Sequence, residues 1–317
     1  MIYWIRYKAR KFRIKLYSAI KSVIDQNIDL SKMSRKKRII YYIKKVLLNP
    51  KRIFLNLIGK ELNVSYVEVV LTTFCTLNCK GCSALMPFYK KRKNFDLDII
   101  IKSLDTLTDS VNSIQKLRLL GGEPLLYPNI TKLIKYTLKN DKIKNVVIVT
   151  NGTLLLNDEL IELLKNNKCG VYISDYGEIS IKKDELVNQL SNNNIKYQLK
   201  KEGSKWRDYG NLECRNRTKR ELKKQFSKCE INCSSIFDGK LFYCPRNSHG
   251  TNLKKIPLRN EDYIELYNNT LNKKQLNKRL YHFFYKYTPY IEACNYCNAG
   301  TNILKEINAG EQEERNK

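Results

Sequence analysis

Three cysteines, Cys75, Cys79 and Cys82, stand in Cys-x3-Cys-x2-Cys spacing directly after Val64–Phe74, an apolar, β-branched run that reads as a strand. A closed zinc knuckle would need a fourth ligand nearby. The next cysteine is Cys169, and His249 and His282 are remote. Three thiolates on one loop suit three irons of a 4Fe–4S cube and leave the fourth iron without a protein ligand. An open coordination position is how a metal centre takes up something other than protein.

From residue 64 onward the texture is of strands alternating with helices. Gln115–Leu120, Lys144–Thr150, Gly170–Ser174 and Ile195–Leu199 read as further strands, with helices over Leu97–Ser113, Ile130–Lys139 and Asn157–Asn166. Strands separated by helices imply parallel βαβ units, here an open partial (β/α) barrel in the α/β class. Chemistry in such folds collects at the C-terminal strand ends. The polar motifs lie there: the cysteine loop, Gly121-Gly122-Glu123-Pro124, Thr150-Asn151-Gly152 and Ser174-Asp175-Tyr176.

On these residues the chain resembles the radical S-adenosylmethionine (SAM) superfamily. The resemblance implies that Cys75, Cys79 and Cys82 hold a 4Fe–4S cluster, with SAM on the open iron through its amino and carboxylate groups. A GGE-type motif follows the second strand in that family and is matched by Gly121, Gly122 and Glu123. Glycines without side chains let backbone carbonyls approach the SAM ammonium, while Glu123 orients the loop or adds negative charge. Carried over by position, Pro124, Thr150, Asn151, Ser174 and Asp175 complete the cofactor-binding set. One departure is Gly81, where the family often has an aromatic residue near adenine.

A second group of cysteines follows. Cys229-x9-Gly239-x4-Cys244 brackets a hairpin, Ser235–Phe237 and Lys240–Tyr243, turned by Asp238-Gly239. Cys294-Asn-Tyr-Cys297 comes later. This resembles the twitch domain, a short SPASM-like module, and implies an auxiliary 4Fe–4S cluster on Cys229, Cys244, Cys294 and Cys297. Structural zinc is the alternative, and Cys233 is the rival to Cys229. Cys169 and Cys214 stand alone and read as small buried hydrophobes. Arg246 and His249 follow Cys244 immediately; with Asp175 and Tyr176 they are the catalytic candidates.

The net charge is +28, and residues 1–60 carry no acidic residue besides Asp25 and Asp29. Ile5, Phe12, Leu16, Ile20 and Ile24 share a helical face there, with Lys and Arg on the others. This is a basic amphipathic extension that packs on the barrel or contacts an anionic membrane surface; no nucleic acid is expected. The charges in this segment break any secretory signal, so a cytoplasmic location is expected, with possible contact at the inner membrane face. The chain thus divides into a basic helical extension (1–63), a radical SAM partial barrel (64–213), an auxiliary cluster domain (214–300) and a polar tail (301–317).

The resemblance implies an oxidoreductase that cleaves SAM, served by an electron donor such as flavodoxin or ferredoxin. A sugar, sugar nucleotide or glycan intermediate is the expected substrate. Modification of a peptide side chain is the second reading, and a non-catalytic electron carrier the third.

Overall fold

A computed structural model describes residue 16, residues 34–48, residue 50, and residues 61–200, 203–231, 233–285 and 288–314. Nearly all of the Ile5–Ile24 stripe lies outside the described residues. Helix α1, Arg35–Leu48, belongs to the basic extension and exposes Ile39, Ile43 and Leu47.

Eight strands form one sheet. They are β2 (Val67–Val70), β4 (Leu117–Leu120), β5 (Val146–Thr150), β6 (Cys169–Ser174), β7 (Tyr197–Lys200), β9 (Ser235–Phe237), β10 (Lys240–Phe242) and β11 (Tyr263–Glu265), in the order β11-β10-β9-β2-β4-β5-β6-β7. The pairings from β9 through β7 are parallel, while β10 and β11 run antiparallel at one edge. The fold is therefore α/β with a mostly parallel sheet. The C-terminal hairpin extends that sheet: β9 pairs directly with β2. Its turn has Asp238 and Gly239 at φ 46° and 83°, the left-handed pair that a two-residue hairpin requires.

Helices α2 (Leu97–Ser110), α3 (Ile130–Lys139), α4 (Asp158–Leu164) and α5 (Lys183–Asn192) connect the parallel strands. On α3 the buried residues Ile130, Leu133, Ile134 and Thr137 recur at three and four, so one stripe faces the sheet. The Asp96 side chain caps α2 by accepting from the amides of Asp98 and Ile99. Two sequence expectations are corrected here. The first helix ends at Ser110 because Ser113–Ile114 pairs as β3 with β1, Asn63–Val64. The long strand 64–74 likewise splits into β1 and β2, which join different sheets.

Beyond β7 the chain forms β8 (Lys205–Asp208), α6 (Lys219–Lys228), α7 (Pro245–Asn252), α8 (Lys273–Phe284) and β12 (Lys305–Asn308). A capping box of Thr218 and Glu221 starts α6, and one of Asn272 and Gln275 starts α8. Residues 301–317, read from sequence as a polar tail, do structural work over the part described. β12 pairs antiparallel with β8, and the next residues lie along the first cysteine loop.

Candidate iron–sulfur and SAM site

The three-cysteine loop leaves the C-terminal end of β2, and polar donors surround its sulfurs. Gln312 Nε2 lies 3.0 Å from Cys79 Sγ, and Asn151 Nδ2 lies 3.8 Å from Cys75 Sγ. Backbone amides of Met86, Ala84 and Leu85 point at the Cys82 thiol. Burial pushes the Cys75 thiol up to about 12 and the Cys79 thiol up to about 11, and it raises Cys82 as well. Such thiols ionise readily only beside a metal cation. N–H donors aimed at the sulfurs are what a thiolate-ligated cluster uses to spread its charge. The loop fits an iron–sulfur cluster.

The C-terminal segment closes one side of this loop. Asn78 N donates to Gln312 Oε1 at 2.7 Å, Lys80 N to the Glu311 carbonyl at 2.6 Å, and Asn78 Nδ2 to the Glu313 carbonyl at 2.9 Å. Gly81 has φ 63°, and a Cβ there would lie 2.2 Å from Ile307 Cδ1. The side chain of β12 thus fills the space beside this unusual glycine.

Gly121 and Gly122 pack the end of β4 against the start of the cysteine loop. A Cβ on Gly121 would lie 2.4 Å from the Thr72 carbonyl oxygen, and one on Gly122 would lie 2.1 Å from that of Phe74. Glu123 is fully buried, accepting from Asn151 N at 2.9 Å and Leu125 N at 3.2 Å. Burial pushes its carboxyl up to about 7. Its carboxylate ties the end of β4 to the end of β5. Pro124 opens the short 3-10 turn that follows. Asn151 also donates to Thr76 Oγ1 at 3.0 Å, reaching back to the cysteine loop.

A cavity of about 850 Å³ opens above these strand ends. Cys82, Gly121, Gly122, Thr150, Asn151, Ser174 and Tyr176 line it from the barrel side, and Cys233, Cys244, Arg246 and His249 from the other. Asp175 turns away from it, held by Lys183 Nζ at 3.3 Å and the Gly177 amide at 3.0 Å. Tyr176 packs edge-on against Trp206 at 5.4 Å between centroids.

The later cysteines converge at the end of α6. The Cys294 thiol, pushed up by burial, feels Cys229, Cys244 and Cys297. Arg217 Nη1 holds the carbonyls of Cys294 and Cys297 at 2.9 and 2.8 Å. A Cβ on Gly300 would lie 3.0 Å from Cys229 N, so the turn after Cys297 sits directly on Cys229. Cys233 lines the cavity, as Cys244 does, and with Cys297 and Cys229 it acts electrostatically on Tyr209.

Arg246 and His249 lie on α7, which the sequence did not reveal. The Arg246 guanidinium donates to the carbonyls of Tyr296, Gly210 and Asn211, tying three segments together. His249 is wholly buried between Tyr89 and Phe237; its Nδ1 lies 2.9 Å from the Tyr89 hydroxyl. Burial pushes its imidazole down to about 3, so the ring stays neutral. Sequence reasoning missed Glu68, Arg118 and Tyr172 on the cavity wall. Charges inside otherwise apolar strands, VEVV and LRLL, were the available signal.

A parallel sheet carrying an open three-thiol loop at its strand ends defines an iron–sulfur domain with room for a small cofactor. Residues 69–174 match the family model described as the Radical SAM superfamily, and over that stretch the chain is a radical SAM domain, the kind that uses a 4Fe–4S cluster and SAM. The chain is 35% identical over 99 residues to a GTP 3',8-cyclase of Syntrophomonas wolfei, covering 30% of this chain and 29% of that protein. A GTP 3',8-cyclase of Clostridium perfringens is 35% identical over 118 residues, covering 37% and 35%. The chain thus spans about a third of the length of the curated relatives it matches. Among solved structures it is similar to BtrN in complex with AdoMet and 2-DOIA, with TM-score 0.45 and 15% identity over 75% of this chain and 94% of that one. No helix among the described residues is long and apolar enough to cross a membrane.

Proposed function

We propose that this chain is a radical SAM enzyme acting on a small molecule, a sugar nucleotide or related phosphorylated sugar, with net oxidation of the substrate. With a 4Fe–4S cluster on Cys75, Cys79 and Cys82 and SAM on its open iron, the pair supplies a 5′-deoxyadenosyl radical able to take hydrogen from an unreactive carbon. The carrying observation is the placement of Cys82, Gly121 and Gly122 on one wall of a cavity large enough for a cofactor and a substrate. Thr150, Asn151 and Ser174 continue that wall and orient what binds there. The C-terminal segment covers the loop from the other side, with Gln312 against the Cys79 sulfur.

Cys229, Cys244, Cys294 and Cys297 would hold an auxiliary cluster that accepts the substrate's electron. Their thiols sense one another, as ligands of one shared centre do; structural zinc on the same four cysteines is the alternative. The names of the curated relatives favour a second reading, a redox-neutral rearrangement of a purine nucleotide.

Anaerobically reconstituted protein is expected to hold about eight irons per chain and, with SAM and dithionite, to release 5′-deoxyadenosine. Absence of that product from iron-replete protein would sink the reading. About four irons with one zinc would reassign the second site, and Cys229→Ala, not Cys233→Ala, is expected to empty it. Deuterium from labelled sugar nucleotides or GTP appearing in 5′-deoxyadenosine separates the two substrate readings.

We also propose peripheral contact with an anionic membrane. Helix α1 supports it, exposing Ile39, Ile43 and Leu47 beside Arg35, Lys36, Lys37 and Arg38. Each such cation contributes about 1 kcal/mol near an anionic surface. The protein should sediment with phosphatidylserine vesicles at low salt and lose this on removal of residues 1–60; sedimentation unaffected by that removal contradicts the contact.

A further inference from the structure

The cavity continues below the strand ends, and its floor is polar. Strand register sets Glu68 on β2 directly beside Arg118 on β4. Both line the cavity, as does Tyr172 on β6. The Arg118 guanidinium lies between two rings, 5.1 Å from the centroid of Tyr66 and 5.1 Å from that of Tyr172. Its Nη1 reaches the Tyr66 hydroxyl only at 3.4 Å, and its Nε is buried with no hydrogen-bond partner among the described residues. Glu68 is 5% exposed and its carboxylate receives the Tyr66 hydroxyl.

Arg118 is half-buried, so its guanidinium is partly desolvated while still lining the cavity. A guanidinium held between two rings on a cavity wall presents its remaining fork to what enters the cavity. The flanking rings restrict the plane of the fork, so an oxyanion meets it edge-on. The charge on the rest of the wall points the same way. Lys200, Arg207, Lys228 and Arg246 join Arg118 against only Glu68 and Glu230. Such an excess suits a group of two negative charges better than one. Trp206, Tyr209 and Tyr176 add ring surfaces nearer the mouth, where the uncharged part of a ligand would lie.

We propose that the floor of this cavity is a phosphate-binding subsite for the substrate, with Arg118 as the gripping group and Lys200 as a second cation. The assignment rests on the SAM-cleaving reading, because the subsite shares that cavity. It specifies where the phosphate goes: deep between β2 and β4, not at the exposed rim formed by Arg207 and Lys228.

The test uses full-length reconstituted protein with SAM bound, titrated calorimetrically with inorganic pyrophosphate and, separately, with succinate. Pyrophosphate should bind more tightly than succinate. Arg118→Gln should weaken it by about tenfold or more, the scale of a lost charge-assisted hydrogen-bond pair, and Arg118→Lys should recover part of that loss. Lys200→Gln, at a partly open position, should weaken it less and serves if Arg118→Gln does not load iron. Wild-type pyrophosphate affinity in Arg118→Gln would overturn the subsite, as would unchanged affinity in Lys200→Gln where Arg118→Gln does not load iron. A preference for succinate would overturn its phosphate character. These failures are distinct from failure of the SAM reading: protein that makes 5′-deoxyadenosine yet ignores pyrophosphate loses only the subsite. Protein that binds pyrophosphate through Arg118 yet makes no 5′-deoxyadenosine loses the SAM reading.

Discussion

Replacing Cys75, Cys79 and Cys82 together by Ala should eliminate 5′-deoxyadenosine formation and leave about four irons per chain on the remaining cysteines. The expected effect is total because no neighbouring side chain can substitute. Gln312, Asn151 and the amides of residues 84–86 are donors, able to stabilise a thiolate but not to bind iron in its place. The triple variant should keep its fold, since Cys75 and Cys82 are only half-buried and the loop is anchored through backbone bonds of Asn78 and Lys80. Iron analysis and product chromatography on the same sample check this. Continued SAM cleavage by the variant would remove the loop from the mechanism.

Gly122→Ala should be nearly as severe despite adding one methyl group. Its Cβ would sit 2.1 Å from the Phe74 carbonyl oxygen and 2.8 Å from Cys75 Cβ. The first obstacle is backbone, so no rotamer change relieves it. Overpacking of this kind costs about 1–3 kcal/mol, and relief requires moving the strand end that carries Cys75. Thermal stability should therefore fall, and SAM cleavage should fall by about a hundredfold, equivalent to about 2.7 kcal/mol of misplacement. Gly203→Ala is the comparison. Unlike Gly122 it has positive φ, but no atom lies within 4 Å of the added carbon, so it should carry backbone strain without loss of cleavage. A Gly122→Ala protein with unaltered iron content and cleavage would show that the close approach is not needed.

What could be read from the sequence was what short-range chemistry dictates. Cys75, Cys79 and Cys82 are tied by spacing to one loop, Asp238-Gly239 admits few turns, and the apolar stripe of Ile130–Lys139 admits one helical face. Long-range pairing was hidden. Nothing local in Ser235–Phe237 says that it lies beside Val67–Val70, or that Ser113–Ile114 leaves its helix to pair with Asn63–Val64. Arg246 and His249 were singled out for their chemistry, but their partners come from elsewhere: the carbonyls of Gly210, Asn211 and Tyr296 for one, the Tyr89 hydroxyl for the other. Glu68 and Arg118 were overlooked because an isolated charge in a short strand looks like a solvent-facing position. Only the register shows the two sharing the inner face.

The segment that carries Gln312 has a consequence for survival in air. It begins just after Cys297, is pinned midway by β12 on β8, and ends with its side chain against the Cys79 sulfur. The two sets of cysteines are thus mechanically tethered, although the chain reaches Gln312 from Cys79 only after 233 residues. Loosening the far set would slacken the tether and bare the edge of the near one. Dioxygen bleaching of the first cluster should then quicken when Cys294 or Cys297 is replaced, although both lie at the far end of that segment.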